Sequence, residues 1–194
     1  MKSQAAESLA LFLSIKEESV GKYYIFDMDG VLVEYRRDMS PDKVEMMTKK
    51  GYFANLRPEW NMIFAMLALK ARYPDRVFIL TSTFASEFPY SIPEKIEYMK
   101  RLFPEMEKNF ILVDAEKGET KPERFFETTG RRINKDCMLI DDYGKNLAVW
   151  KEQGGTPVKY LNLINNSHGT HYDYKLDCFM RPDEIVDRLE EIEV

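Results

Sequence analysis

The sequence predicts an α/β protein: a three-layer, doubly wound parallel sheet with helices on both faces and a small cap inserted after the first strand. Three observations lead there. Five short runs rich in Val, Ile, Phe and Tyr are continuously apolar rather than alternating, as strands buried on both faces are. Helical patterns with short connections separate the runs, and a βαβ succession of this kind builds a parallel sheet. The chain has 194 residues, 44% of them hydrophobic and 31% charged, which suits one globular domain with a modest insertion.

Residues 1–21 carry Ala6, Leu9, Ala10 and Leu13 on one helical face. Glu7 precedes the apolar run LALFLSI (9–15), and Glu17 and Glu18 follow it. That fits an N-terminal amphipathic helix better than an export signal, so a cytoplasmic location is expected. The core domain is then 22–194. Its first strand is KYYIFDMD (22–29), and the extra length after it forms a cap insertion over 32–58. Within the cap, SPDKVEMMTKKG reads as a helix with Ser40 as N-cap, Pro41 at the first position and Gly51 at its end. The next helix, in RPEWNMIFAMLALKARYP, puts Trp60, Ile63, Phe64, Leu67 and Ala71 on one face and stops at Pro74.

RVFILTS (76–82) is the second strand. A helix follows in SIPEKIEYMKRLF, where Ser91 and Glu94 are spaced as a capping box. NFILV (109–113) is the third strand, and a helix runs from Pro122 to Gly130. CMLIDD (137–142) is the fourth, followed by a helix ending at Gly154. TPVKYLN (156–162) is the fifth, and the helix RPDEIVDRLEEI closes the chain.

In open α/β sheets, ligands bind beyond the carboxyl ends of the strands. Asp27 and Asp29 end the first strand here, Thr81 and Ser82 the second, Asp141 and Asp142 the fourth. Parallel strands bring these groups to one rim. Four carboxylates there repel unless a cation sits among them, and hard oxygen donors at this density suit Mg²⁺. Lys121, before a helix start after the third strand, is placed to meet a phosphate, with Lys117 as the competing lysine in the same loop. The Thr81 and Ser82 hydroxyls and the backbone N–H groups after Asp29 complete an anion site.

These parts describe phosphoryl transfer to an aspartate. Asp27 attacks phosphorus, and Asp29 gives a proton to the leaving oxygen, then takes one from water; such acid–base help contributes roughly 10²–10⁴ in rate. The ordered set FDMDGVL, ILTS, a lysine and LIDD resembles the haloacid-dehalogenase-like hydrolases, whose fold is Rossmann-like, over nearly the whole chain from Lys22. The resemblance implies Asp27 as nucleophile, Asp29 as acid/base, Thr81, Ser82 and Lys121 on phosphate, and Mg²⁺ held by Asp27, the Asp29 backbone carbonyl and Asp141, with Asp142 close by. Within that superfamily, GYFANLRP, the stretch from MLIDDYGKN to VKYLN, and INNSHGT are similar to the cytosolic type C 5′-nucleotidases, the deoxyribonucleotidases. Their reaction is hydrolysis of a nucleoside 5′-monophosphate, with Phe53 and Tyr52 against the base. The Asp27–Thr81 spacing is shorter than in the mammalian enzymes, which implies a reduced cap, and the lysine loop is longer.

Other readings stand beside these. A phosphatase for another small phosphate, such as a sugar phosphate, shares the mechanism. A non-catalytic binding module shares the fold, although the full acidic set argues against decay. Net charge is −5, which disfavours a nucleic-acid polymer as partner. No window is long and apolar enough for a membrane span. With two cysteines, Cys137 in an apolar run, no disulfide is expected. His168 and His171 in HGTH have metal-like spacing without a third ligand and read as a surface loop. The charged run Glu34, Arg36, Arg37 and Asp38 reads as solvated, with Arg36 or Arg37 as possible substrate contacts.

Overall fold

The computed structural model describes residues 21–36, 40–164 and 171–194. The helix expected before residue 21, Arg37, Asp38 and His168 therefore lie outside the described residues. Six parallel strands form one sheet: β1 (Tyr23–Phe26), β2 (Val77–Thr83), β3 (Phe110–Asp114), β4 (Cys137–Asp141), β5 (Thr156–Leu161) and β6 (Tyr174–Asp177), in the order β3-β2-β1-β4-β5-β6. The helices are α1 (Pro41–Met47), α2 (Trp60–Arg72), α3 (Ser91–Leu102), α4 (Lys121–Thr129), α5 (Gly144–Glu152) and α6 (Pro182–Glu191).

The continuous apolarity of the strands has a plain cause. Successive side chains leave opposite faces of a strand, and both faces are covered. Tyr24 and Phe26 of β1 join Ile79, Met138 and Ile140 in a core built with Met62, Ile63, Met66 and Leu69 of α2 and Ile185 and Leu189 of α6. Ile25, between them, faces the second core with Leu80, Ile111, Leu139, Phe125 of α4, and Leu147 and Trp150 of α5. Trp150 packs edge-on against Phe125 and donates its indole N–H to the Cys137 carbonyl at 2.9 Å, so its polar atom is satisfied inside the core. Cys137 is a buried thiol, as expected, and Cys178 is also free.

The structure departs from the expectations in five places. β6 was not anticipated; in YKLD only Leu176 is fully buried, so an edge strand covered on one side shows no continuous run. α1 ends at Met47, and Gly51, at φ +95°, serves the turn beyond. Ser40 precedes α1 but makes no side-chain cap bond to it. On α2 the buried face is Met62, Ile63, Ala65, Met66 and Leu69, while Trp60 and Phe64 are exposed and stack on each other with centroids 5.6 Å apart. That helix is apolar nearly all round, so periodicity offered two faces and packing against α6 selected one. The Ser91–Glu94 capping box does not form: α3 begins at Ser91 itself, and Glu94 is used elsewhere. A capping box forms instead at α4, where Thr120 and Glu123 bond each other's backbone N–H.

Strand β1 lies between β2 and β4, so the chain first winds to one side of it and then crosses to the other. That reversal opens a crevice at the carboxyl ends of β1 and β4.

Candidate active site

β1 ends at Phe26 and the chain turns at once. The N–H groups of Leu32 and Val33 donate to the Met28 carbonyl at 2.9 and 3.1 Å, and Gly30 N–H donates to the Val33 carbonyl at 2.8 Å. Met28, Val31, Leu32 and Val33 are buried, so their burial anchors this tight loop and leaves Asp27 and Asp29 at the rim. The N–H groups after Asp29 were expected to face a phosphate; in the structure those of Gly30, Leu32 and Val33 are spent inside the turn. Gly30 sits at φ +82°, and a Cβ there would come within 2.6 Å of the Asp142 carboxylate. Only glycine allows both the turn and that approach.

Asp27, Asp141 and Asp142 are buried, with carboxylate oxygens from all three within 4.8 Å of one another. One ammonium lies among them. Lys121 Nζ is 2.9 Å from Asp27 Oδ1 and 2.6 Å from Asp141 Oδ2. Asp141 is further held by the Tyr143 N–H at 2.7 Å and the Asn146 amide at 2.8 Å. The Asn162 amide donates to Asp142 at 3.1 Å and to the Gly30 carbonyl at 2.8 Å, which ties the end of β5 to the turn after β1. Burial pushes the Asp27 carboxyl up to about 7; Lys121 pulls it down, while Asp141 and Asp29 add to the rise. Burial alone would lower the Lys121 pKa, but Asp141 and Asp27 outweigh it and hold the ammonium above its ordinary range.

Three buried carboxylates are attended by two buried ammoniums, Lys121 at Asp27 and Asp141 and Lys159 at the Asp142 carbonyl, so the carboxylates still outnumber the lysines and all their donors are hard oxygens. This donor set fits Mg²⁺. Asp29 contributes no carboxylate oxygen to the cluster, so any share it takes in a metal falls to its backbone carbonyl.

The Asp29 side chain turns instead to Lys95, whose Nζ lies 2.6 Å from Asp29 Oδ2. The same ammonium reaches Thr81 Oγ1 at 2.9 Å and the Ser82 carbonyl at 2.7 Å. Thr81 is fully buried, while Ser82 lines the cleft that opens above the acidic cluster. Between the two lysines of the 114–121 loop, geometry separates Lys121 from Lys117. Lys117 is exposed and pairs with Asp114 at 2.7 Å, away from the cluster.

The cleft has a volume of about 690 Å³ and reaches from Asp27, Asp29 and Lys121 to a wall formed by Tyr35, Met47, Phe53, Phe84 and Phe88. Phe53 packs with Met47 and Phe88 in a small core of its own. Tyr52 stands behind it, edge-on at 4.9 Å, and does not line the cleft. Glu94 holds this wall: its buried carboxylate accepts the backbone N–H groups of Gly51 at 2.5 Å, Phe53 at 2.9 Å and Ala54 at 3.2 Å. Arg36 is exposed, and Glu34 pairs with Arg57 at 3.1 Å. His171 is exposed and packs on Tyr172.

Lys95, Glu94, Asn146 and Asn162 escaped the sequence reading. Lys95 did leave a signal. It heads the stripe Lys95, Tyr98, Met99, Leu102, at the spacing of a buried helical face, and a lysine in such a stripe is buried against a partner. Glu94 was assigned to its own helix end because sequence spacing cannot show that the turn at 51–54 lies closer. The two asparagines left no signal.

No protein-family model and no curated protein matches the sequence. Solved structures do. A haloacid-dehalogenase-superfamily hydrolase from Ehrlichia chaffeensis superposes with a TM-score of 0.54 at 14% identity, covering 89% of this chain and 98% of that one. A family IA, variant 3 haloacid-dehalogenase hydrolase from Entamoeba histolytica gives 0.55 at 13% identity, with 88% and 100% covered. A β-phosphoglucomutase from Clostridium difficile gives 0.52 at 15% identity, with 89% and 98% covered. The sheet and its flanking helices thus have the fold of the haloacid-dehalogenase-like hydrolases.

Proposed function

We propose that the protein is a Mg²⁺-dependent phosphomonoester hydrolase acting through an aspartyl-phosphate, with nucleoside 5′-monophosphates as substrates. The observation that carries the reading is the meeting of Asp27, Asp29 and Lys121 in one cleft over a three-carboxylate cluster.

In this reading Lys121 draws the phosphoryl group against its own charge and keeps Asp27 close to it. A carboxylate oxygen of Asp27 bonds to phosphorus as the bond to the leaving oxygen breaks, and Asp29 delivers a proton to that oxygen. Water then attacks phosphorus, gives a proton to Asp29, and releases inorganic phosphate with Asp27 restored. Asp27, Asp141 and the Asp29 carbonyl would hold Mg²⁺, with Asp142 beside them, and the ion when bound neutralises charge on the carboxylates and the phosphoryl oxygens.

The nucleotide assignment is supported by the wall of Tyr35, Met47, Phe53, Phe84 and Phe88, an aromatic and apolar lining better suited to a base than to a polyhydroxyl sugar. A panel of monophosphates assayed with Mg²⁺ and with EDTA tests it. Turnover that requires Mg²⁺ and favours nucleoside monophosphates over sugar phosphates is expected. Equal or better turnover of sugar phosphates removes the nucleotidase assignment, and activity undiminished in EDTA removes the metal.

A further inference from the structure

Three buried lysines reach the catalytic edge; Lys159 donates to the Asp142 carbonyl, and the two that line the cleft, Lys121 and Lys95, differ in their hydrogen-bond counts. An ammonium has three N–H donors and no acceptor. Lys121 has two acceptors among the described residues, Asp27 Oδ1 and Asp141 Oδ2, so one N–H remains for a substrate oxygen. Lys95 has three: Asp29 Oδ2, Thr81 Oγ1 and the Ser82 carbonyl. The Phe53 ring covers it further, its centroid 5.8 Å from Nζ, and the residue is 1% exposed. Nothing on Lys95 is left to offer a phosphate. Its partners are nevertheless groups at the carboxyl ends of β1 and β2. Thr81, as acceptor toward Lys95, keeps its own hydroxyl proton to donate elsewhere.

We propose that Lys95 is a positioning residue, which fixes the Asp29 carboxyl at the catalytic edge, while the N–H offered to the phosphoryl group belongs to Lys121. This rests on the phosphatase reading and deepens it. Two consequences separate it from a phosphate-binding or merely structural role. Acting through Asp29, Lys95 matters most where the leaving oxygen needs a proton, as in an alkyl ester, and least for p-nitrophenolate, which leaves without one. Its effect also depends on Asp29 being present.

The test compares kcat/KM for a nucleoside 5′-monophosphate and for p-nitrophenyl phosphate, with the inhibition constant of inorganic phosphate, in the wild type, Lys95→Met, Asp29→Asn and the double variant. Lys95→Met is expected to lose roughly 10²-fold on the nucleotide, the low end of acid–base contributions, and at least about tenfold less on the aryl ester. Inhibition by phosphate stays unchanged, and adding Lys95→Met to Asp29→Asn costs little more. The double variant removes both charges together, and Lys95→Gln supplies a milder change should Lys95→Met fold poorly. Equal losses on both esters with weaker phosphate inhibition would make Lys95 a phosphate ligand and overturn the proposal. So would equal losses with unchanged inhibition, additive losses in the double variant, or no loss at all. A wild type that hydrolyses no monoester overturns the phosphatase reading and this inference with it, whereas an active wild type with any of the other outcomes overturns the inference alone.

Discussion

Asp27 sits in surroundings that penalise its charge: it is buried, with Asp141 and Asp29 adding to the penalty and only Lys121 opposing it. Its carboxyl is raised from 3.8 to about 7, above the value it has in the unfolded chain. Between those limits the folded, metal-free protein holds a proton that the unfolded chain has released. The folded state binds more protons there, so its stability falls as pH rises through that window. A divalent cation reverses the preference, because it binds the ionised carboxylate. Melting temperatures in EDTA are therefore expected to fall from pH 5 to pH 7.5, and the increase given by Mg²⁺ to grow over the same range. A Mg²⁺ effect that is independent of pH would mean that Asp27 does not titrate in the site. That Asp27, Asp29, Thr81, Ser82, Asp141 and Asp142 lie at one edge of the sheet was legible in the sequence, because each stands at or just past the end of an apolar run. Lys95 was not, because a helical lysine shows its partners only when the helix is packed.

At the scale of elements, α3 joins the turn at 51–54 to the catalytic edge through two adjacent residues. Glu94 gathers the N–H groups of the turn at 51–54, and Lys95 gathers Asp29 and Thr81. The 3₁₀ turn Phe53–Asn55 that carries the cleft wall is thus held by a carboxylate from another element. Replacing Glu94 with Gln removes the charge and turns an amide N–H₂ toward backbone donors. A loss of about 1.5–3 kcal/mol, the scale of a hydrogen bond to a charged group, is expected on denaturant unfolding. Amide exchange at Gly51, Phe53 and Ala54 should quicken, and KM should rise more than kcat falls. Unchanged exchange at those three amides would show that Glu94 does not hold the turn. β1 to β5 were legible because each carries an apolar run, even β3 (FILV) at the sheet edge where burial alternates, whereas β6 (YKLD) carries no such run. The buried face of α2 was misjudged for the opposite reason: too many apolar residues gave no unique stripe.

At the scale of the molecule, the order β3-β2-β1-β4-β5-β6 places β1 at the point where winding reverses, and every candidate catalytic group lies at that end of the sheet. Topology collects residues separated by more than a hundred positions, and the acidic, hard-donor chemistry follows from what the strand ends carry. Among the described residues, no helix is long and apolar enough to cross a membrane. The assembled account has Asp27 as the atom donor to phosphorus. Acid-quenching the enzyme during turnover of a nucleoside 5′-monophosphate with Mg²⁺, then mapping the phosphorylated peptide by mass spectrometry, tests it most directly. A phosphoryl adduct on Asp27 that vanishes, together with turnover, in Asp27→Asn is the expected result; turnover that survives Asp27→Asn, or an adduct on another residue, would contradict it.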